Sequence, residues 1–340
     1  MCSFSDYDFA PACQMIKSAG DILIAGHVSP DGDTLGSTLG LSLGLQRLGK
    51  RPRVVFQDDV PGYLQFLPGV DAILKPAAVD FTPQLVVLVD CAALHRTGDG
   101  WVEKYLPQTP LLILDHHALR DDIPAVSIID GKLAATAELI YWLLQALEVP
   151  MELDIARCLY TALCTDTGGF RFTNTRTHTF EIAAKLKAQG INLEEMRIQL
   201  FESRRLMNVK LMGHAMANIC QSEDKKLVWS MIDTKIKKLW GAADSDTEGI
   251  AGQMMLVEGV KVGVFLDERV DADGNYVVIV SFRGRDGYNV GKLAAQFGGG
   301  GHYAASGCTI PGSLDEVWPC VIEAALLLVS ETEVKTEGNL

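Results

Sequence analysis

Short, uninterrupted apolar runs alternate with helix-like stretches over the first part of the chain. Ile22-Leu23-Ile24-Ala25, Val54-Val55-Phe56, Leu85-Val86-Val87-Leu88-Val89, Leu111-Leu112-Ile113-Leu114 and Ser127-Ile128-Ile129 each read as a strand. The third run is apolar at every position, as a strand covered on both faces must be. Between and after these runs lie a leucine-rich helical pattern over 35–48 and helical patterns beginning at Thr136, Asp154 and Arg176. That order predicts an α/β domain built on a parallel sheet.

The pattern changes near residue 195. Residues 194–213 are charged and free of Pro and Gly until Gly213, which predicts one helix connecting two lobes. Strand patterns over 227–232, 260–266 and 277–282 follow, with helices near 290–296 and 314–328, giving a smaller mixed α/β lobe. The expected organisation is a first domain over 1–195, a connector over 196–220, a second domain over 221–330 and a polar, fraying tail over 331–340. A chain of 340 residues with 48% hydrophobic content is large enough to bury two cores.

Composition narrows the partners. The formal net charge of −13 repels long polyanions, so extended DNA or RNA is excluded as the main partner while small nucleotides and very short oligomers remain. The eight cysteines contain no CxxC pair and several fall in apolar runs, as reduced cysteines packing in a cytoplasmic protein would. No cationic apolar leader and no apolar run of membrane-spanning length is present.

Candidate chemistry stands where the apolar runs stop. The first run enters Gly26-His27-Val28-Ser29-Pro30-Asp31-Gly32-Asp33, the third ends in Asp90, and the fourth runs into Asp115-His116-His117. Asp166 follows an apolar helix on the loop Thr165-Asp166-Thr167-Gly168-Gly169-Phe170. In an open parallel sheet, ligands collect beyond the carboxyl ends of the strands, so groups far apart in sequence converge there. Taken singly, Asp31, Asp33 and Asp115 read as helix caps. Taken together, His27, Asp31, Asp33, Asp90, His116 and Asp166 read as metal ligands. Imidazoles and carboxylates without thiolates suit Mn²⁺, Mg²⁺ or a similar hard ion, and this many carboxylates implies two ions with one Asp shared.

With these residues in this order, the chain resembles the DHH phosphoesterases. Near the C-terminus, Gly298-Gly299-Gly300-Gly301-His302-Tyr303-Ala304-Ala305-Ser306-Gly307 resembles the signature of the associated substrate domain, DHHA1. The resemblance implies that His27, Asp31 and Asp90 hold one ion and that Asp33, Asp90, His116 and Asp166 hold the other. It also implies that His117 touches the scissile phosphate or protonates the leaving oxygen, with Asp115 supporting it. Arg283, Gly300, Gly301 and His302 would grip the nucleotide, Arg being suited to bidentate capture of phosphate.

The branch it looks most like is the bacterial nanoRNase type, which implies release of 5'-mononucleotides from very short RNA, removal of the 3'-phosphate of 3'-phosphoadenosine 5'-phosphate (pAp), and a homodimer. A phosphodiesterase of signalling dinucleotides such as cyclic di-AMP is the alternative, and a non-catalytic nucleotide sensor a further one. Two departures from the family pattern are Ala118-Leu119-Arg120-Asp121 where an Asn is common, and Ser306 in place of Ala. His95, His178 and His214 read as ordinary surface or satisfied histidines, and Arg204 with Arg205 as a solvated helix face. Phe170 and Phe172 fit base stacking or core packing, with core packing expected for at least one.

Overall fold

A computed structural model describes residues 4–117, 123–285, 287–301 and 303–337. Two compact units divide between Ser203 and Arg204.

The first unit opens with α1 (Ala10–Ser18), β1 (Asp21–Ala25), α2 (Gly32–Arg47) and β2 (Arg51–Val55). It continues through β3 (Leu85–Val89), β4 (Leu111–Asp115) and β5 (Val126–Ile129), then α3 (Thr136–Ala146), α4 (Leu153–Asp166), α5 (Thr177–Lys187) and α6 (Leu193–Arg197). The five strands form one sheet in the order β2-β1-β3-β4-β5, every pair parallel. Both faces are covered. Ile22, Ile24, Val87, Val89, Leu112 and Leu114 join the helices in one core, and alternate residues Leu23, Val86, Leu88, Leu111 and Ile113 face a second core with Trp101 and Val102. This is why the strands are apolar at successive positions rather than at every second one.

From β1 the chain moves outward to β2 and then crosses to β3 on the other side, so the order reverses between β1 and β3. The crevice at such a reversal, beyond the carboxyl ends of the strands, is the natural ligand position of an open parallel sheet. On one face α2 lies against α4 at close range. A β-carbon at Gly36 would sit 2.4 Å from the Cys158 carbonyl oxygen, so the approach requires glycine there.

The segment expected as one connecting helix is interrupted. α6 passes into a π turn over Ile198–Glu202, closed by Ser203 N donating to Ile198 O at 2.8 Å, and helix resumes only at α7 (Leu206–Ala217). Arg204 and Arg205 sit in the break and are not a solvated helix face. Arg204 Nη1 donates to Asn208 Oδ1 and Glu248 O at 3.3 and 3.2 Å, and Arg205 Nη1 pairs at 3.1 Å with the buried Asp246.

After α7, the second unit contains β6 (Cys220–Gln221), β7 (Leu227–Ile232), α8 (Thr234–Trp240), α9 (Ile250–Met254), β8 (Val262–Val270) and β9 (Tyr276–Gly284). α10 (Val290–Ala295), β10 (Gly300–Gly301), β11 (Ala305–Pro311) and α11 (Leu314–Glu337) complete it. Its sheet has the order β10-β11-β9-β8-β7-β6 and is antiparallel except for the β7–β8 pair. One face packs on α10 and α11 through Val290, Leu293, Val317 and Val321, the other on α7 and α9 through Leu211, Ile250 and Met254. α11 continues to Glu337 instead of ending before a frayed tail, since no Gly or Pro follows Pro319 until Gly338. Among the described residues seven cysteines are free, and no helix is long and apolar enough to cross a membrane.

Candidate metal centre

The reversal point of the first sheet gathers all six candidate ligands. β1 ends one residue before the Gly26–His27 corner, β3 delivers Asp90, β4 delivers Asp115 and the two histidines, and α4 ends on Asp166. Asp90 adopts φ +58°, a left-handed conformation that turns the chain sharply as it leaves the strand. Three sets of ligand atoms lie within 4.8 Å of one another: His27, Asp31 and Asp90; Asp33, His116 and Asp166; and Asp90, His116 and His117.

The candidate ligands are oriented by specific neighbours. Asp31 is at once cap and candidate ligand: its Oδ1 accepts from the Asp33 and Thr34 amides at the start of α2, while Oδ2 lies 4.0 Å from His27 Nε2. The His27 ring contacts Val28 O through Nδ1 at 2.7 Å, so Nδ1 carries the proton and Nε2 turns toward Asp90 Oδ2, 3.5 Å away. His116 likewise faces Leu133 O through Nδ1 at 3.3 Å. Its Nε2 lies 3.3 Å from Asp166 Oδ2, 3.5 Å from Asp90 Oδ1 and 3.6 Å from Asp33 Oδ2. The described side-chain contacts of Asp115 are with His117. Its Oδ1 accepts from the His117 amide at 2.9 Å and meets His117 Nδ1 at 2.7 Å, which fixes the orientation of that ring.

The residues that sequence reasoning missed are the ones that hold the carboxylates. Asp33, fully buried, accepts from Ser37 Oγ at 2.8 Å and from the Thr136 and Ala137 amides at 2.7 and 3.2 Å, at the N-terminus of α3. The Thr136 hydroxyl donates to Asp90 Oδ1 at 2.8 Å. Asn174 Nδ2 ties the Asp166 carbonyl to the Ala134 carbonyl, at 3.0 and 3.1 Å. Behind this turn the buried Glu138 accepts from Ala134 N and Thr179 Oγ1 and faces His178 Nε2 at 3.2 Å, so His178 is a buried histidine held through Nε2, while its Nδ1 meets no hydrogen-bond partner among the described residues. The only sequence signal was the helix start at Thr136.

The electrostatics are those of crowded anions. Burial and the neighbouring Asp90 and Asp166 carboxylates push Asp33 well above the ordinary carboxylate range, and burial chiefly takes Asp166 up to about 6. Burial alone would raise Asp90 too, but hydrogen bonds with His117 and His27 hold it well below that range. The imidazoles respond in the opposite sense: although burial opposes their charge, Asp166, Asp90 and Asp33 raise His116 well above its usual value. Asp115 and Asp90 raise His117 to about 10 in the same way.

A divalent ion fits these residues. Ligand atoms 2.0–2.1 Å from one ion are spaced about 2.8 to 3.4 Å apart in octahedral or tetrahedral geometry, slightly less than the 3.3, 3.5 and 3.6 Å separations around His116 Nε2. Three polar atoms also crowd a single hydroxyl: Thr34 Oγ1 lies 2.6 Å from His27 Nε2, 2.7 Å from Asp90 Oδ2 and 3.1 Å from Asp31 Oδ1. One O–H proton cannot serve both carboxylate oxygens fully, whereas a cation can bind them together.

The substrate residues expected in the second unit sit differently. Arg283, on β9, lines a cavity of about 320 Å³ with Ser281, Thr247, Glu248, Asp267 and Arg269. The Asp267 carboxylate is engaged by Lys237, Thr247 and Arg269 at 2.8–2.9 Å, and no carboxylate among the described residues lies within 4 Å of the Arg283 guanidinium. Burial lowers its pKa with no opposing charge. Gly300 and Gly301 are not an open loop but the short strand β10, paired with Gly307 and Ser306. Glycine there serves close backbone packing: a β-carbon at Gly301 would lie 2.7 Å from Ser306 Cα. Ser306 uses its hydroxyl to reach Val290 O at 2.6 Å. His302 and residues 118–121 lie outside the described residues.

A parallel sheet with an Asp-His cluster at its reversal point is the catalytic-domain arrangement of the metal-dependent DHH phosphoesterases, and the chain belongs to the DHH family. The DHH family N-terminal domain matches residues 21–163 and the DHHA1 domain residues 233–331. The chain is 33% identical over 306 residues to the bifunctional oligoribonuclease and PAP phosphatase NrnA of Thermus thermophilus, covering 90% of this chain and 89% of that protein. It is 29% identical to the protein of the same name from Bacillus subtilis, covering 85% and 89%. The fold is shared with an exopolyphosphatase-related protein of Bacteroides fragilis, at a TM-score of 0.85 and 24% identity over 95% of this chain and 96% of the other.

Proposed function

We propose that this protein hydrolyses short oligoribonucleotides to 5'-mononucleotides and removes the 3'-phosphate of pAp, using two divalent ions, Mn²⁺ by preference. The observation that carries the reading is the convergence of His116 Nε2 on Asp33, Asp90 and Asp166, with His27 and Asp31 gathered on the other side of Asp90. The names of the relatives support the substrate class. In this reading His27, Asp31 and Asp90 hold one ion and Asp33, Asp90, His116 and Asp166 the other. Bound ions of this kind supply an activated water at neutral pH and neutralise charge on the attacking and leaving oxygens.

The chain's own groups do the rest. Asp90, set between the two ligand groups, fixes their spacing, and Thr136 fixes Asp90. His117, kept in one orientation by Asp115, donates a proton from Nε2 to the departing ribose 3'-oxygen, a leaving group common to a diribonucleotide and to pAp. Arg283, whose Nη1 donates to Phe282 O at 2.9 Å but which no nearby carboxylate neutralises, takes a phosphate of the substrate, with Gly300, Gly301 and His302 completing the grip. The protein acts in the cytoplasm as a homodimer, which light scattering would test.

The deciding experiment is a substrate panel: pAp, a 5'-labelled diribonucleotide and cyclic di-AMP, each with Mn²⁺, Mg²⁺ or chelator, with Asp90→Ala as the inactive control. Mn²⁺-dependent turnover of the first two is expected. Turnover of cyclic di-AMP alone, or nucleotide binding without any turnover, would overturn the reading.

A further inference from the structure

Phe172 is held on the loop that leaves the metal-capable cluster at Asp166, and neither the core nor the chemistry above uses it. It stands on the loop that carries Asp166, in the run Gly168-Gly169-Phe170-Arg171-Phe172. The two phenylalanines have different fates. Phe170 packs on the first core, its ring stacked on Phe180 at 5.6 Å and 5.9 Å from Tyr160. Phe172 stays 57% exposed.

A single exposed phenylalanine is ordinary, but this ring is fixed in place. Gly168 adopts φ +57°, and a β-carbon there would lie 2.4 Å from the Phe172 ring, so the ring fills the space a side chain at 168 would take. The Thr167 carbonyl accepts from both the Arg171 and Phe172 amides at 2.9 Å, and Thr175 N donates to Phe172 O at 3.1 Å. Arg171 Nε donates to Gly168 O at 2.6 Å. Through Asn174 the same loop is tied to the Asp166 carbonyl. Gly168 is two residues from Asp166, at most about 7.6 Å between α-carbons. The Phe201 ring flanks the other glycine, 3.6 Å from where a β-carbon at Gly169 would be. The glycine pair two and three residues past Asp166 thus lies between two aromatic rings.

From this geometry, and resting on the phosphoesterase reading above, we infer that Phe172 is the platform on which a nucleobase of the substrate stacks, next to the phosphoester being cut. A ring face receives any of the four bases, because each presents a π surface, so the platform selects for nucleotides without selecting a sequence. It also explains why Phe170 and Phe172 are not interchangeable: one anchors the loop and the other serves the ligand.

The test compares substrates with and without bases. Phe172→Ala is expected to raise KM for pAp and for a diribonucleotide roughly 5- to 150-fold. The increase should be clearly larger than for the matching diribose phosphate that lacks both bases, with the main effect in KM rather than kcat. Phe172→Leu, which keeps bulk on Gly168 but has no ring face, should behave like Phe172→Ala, and Phe172→Trp should restore KM. Apart from activity, the indole emission of the Phe172→Trp protein, read against wild type, should be quenched on titration with a non-hydrolysable diribonucleotide.

Equal changes in KM for base-bearing and base-free substrates, or full retention of KM by Phe172→Leu, would overturn the inference. So would loss of self-association by Phe172→Ala at unaltered KM, which would make the ring part of a contact between copies of the chain. If wild type turns over none of these substrates, the proposed function fails instead, and the indole titration still decides whether a base stacks.

Discussion

Thr136 touches both carboxylates at the heart of the metal centre, one through its amide and one through its hydroxyl. Thr136→Val keeps the shape and the amide and removes only the hydroxyl. Divalent-ion affinity should fall about 10- to 100-fold, as for other groups that orient a metal ligand, read by competition with a chromogenic chelator. His117 gives a pH signature. Although burial opposes its charge, Asp115 and Asp90 raise it to about 10 in the metal-free protein, above the ordinary imidazole value of about 6.5. Its charge therefore adds stability that is complete below about pH 6.5 and is lost as the pH rises through about 10. In urea denaturation of chelated protein, wild type should lose more stability between about pH 7 and pH 10 than His117→Asn. Equal losses would contradict the assignment. The candidate ligands were legible in the sequence because they stand where apolar runs stop. Thr34, Thr136 and Asn174 were not: threonine and asparagine have many ordinary uses, and the Thr136–Asp90 bond spans 46 positions that no local pattern connects.

Elements, unlike residues, announced themselves by period. The five strand runs and the helices after them follow from burial on both faces or on one. What periodicity could not show was where a helix must break: 194–213 has helix-compatible composition throughout, and the break at Ser203 to Arg205 comes from side chains reaching Glu248 and Asp246 on a distant segment. Nor could it show that the glycine run is partly strand, since Gly300 and Gly301 are set by the backbone of β11. The α2–α4 contact yields a paired prediction. Gly36→Ala places a methyl group against the Cys158 carbonyl and should destabilise by about 1–3 kcal/mol, as overpacking does, while also weakening ion binding because α2 carries Asp33 and α4 carries Asp166. Gly213→Ala, with nothing within 4 Å of the new methyl group in the exposed part of α7, should instead stabilise by about 0.5–1 kcal/mol. Urea denaturation with metal titration of both variants separates packing from the general helix preference for alanine.

At the scale of the whole molecule, the net charge of −13 sets an upper bound on what the centre can meet. Turnover of 5'-labelled oligoribonucleotides should fall steeply as they lengthen beyond a few residues, and added salt should relieve part of that fall by screening repulsion. A flat length profile would count against charge as the filter. The reversal of strand order between β1 and β3 has a temporal consequence as well. No two of the three strands that deliver ligands are joined by a local hairpin, and the set is complete only when α4 has brought Asp166 beside His116. Parallel pairings of this kind close long loops and form late. An ion thus finds its full grip only on a nearly finished domain, acting as a latch on the folded state and not as a seed for it. Added Mn²⁺ should leave the refolding rate of the chelated protein nearly unchanged and slow its unfolding.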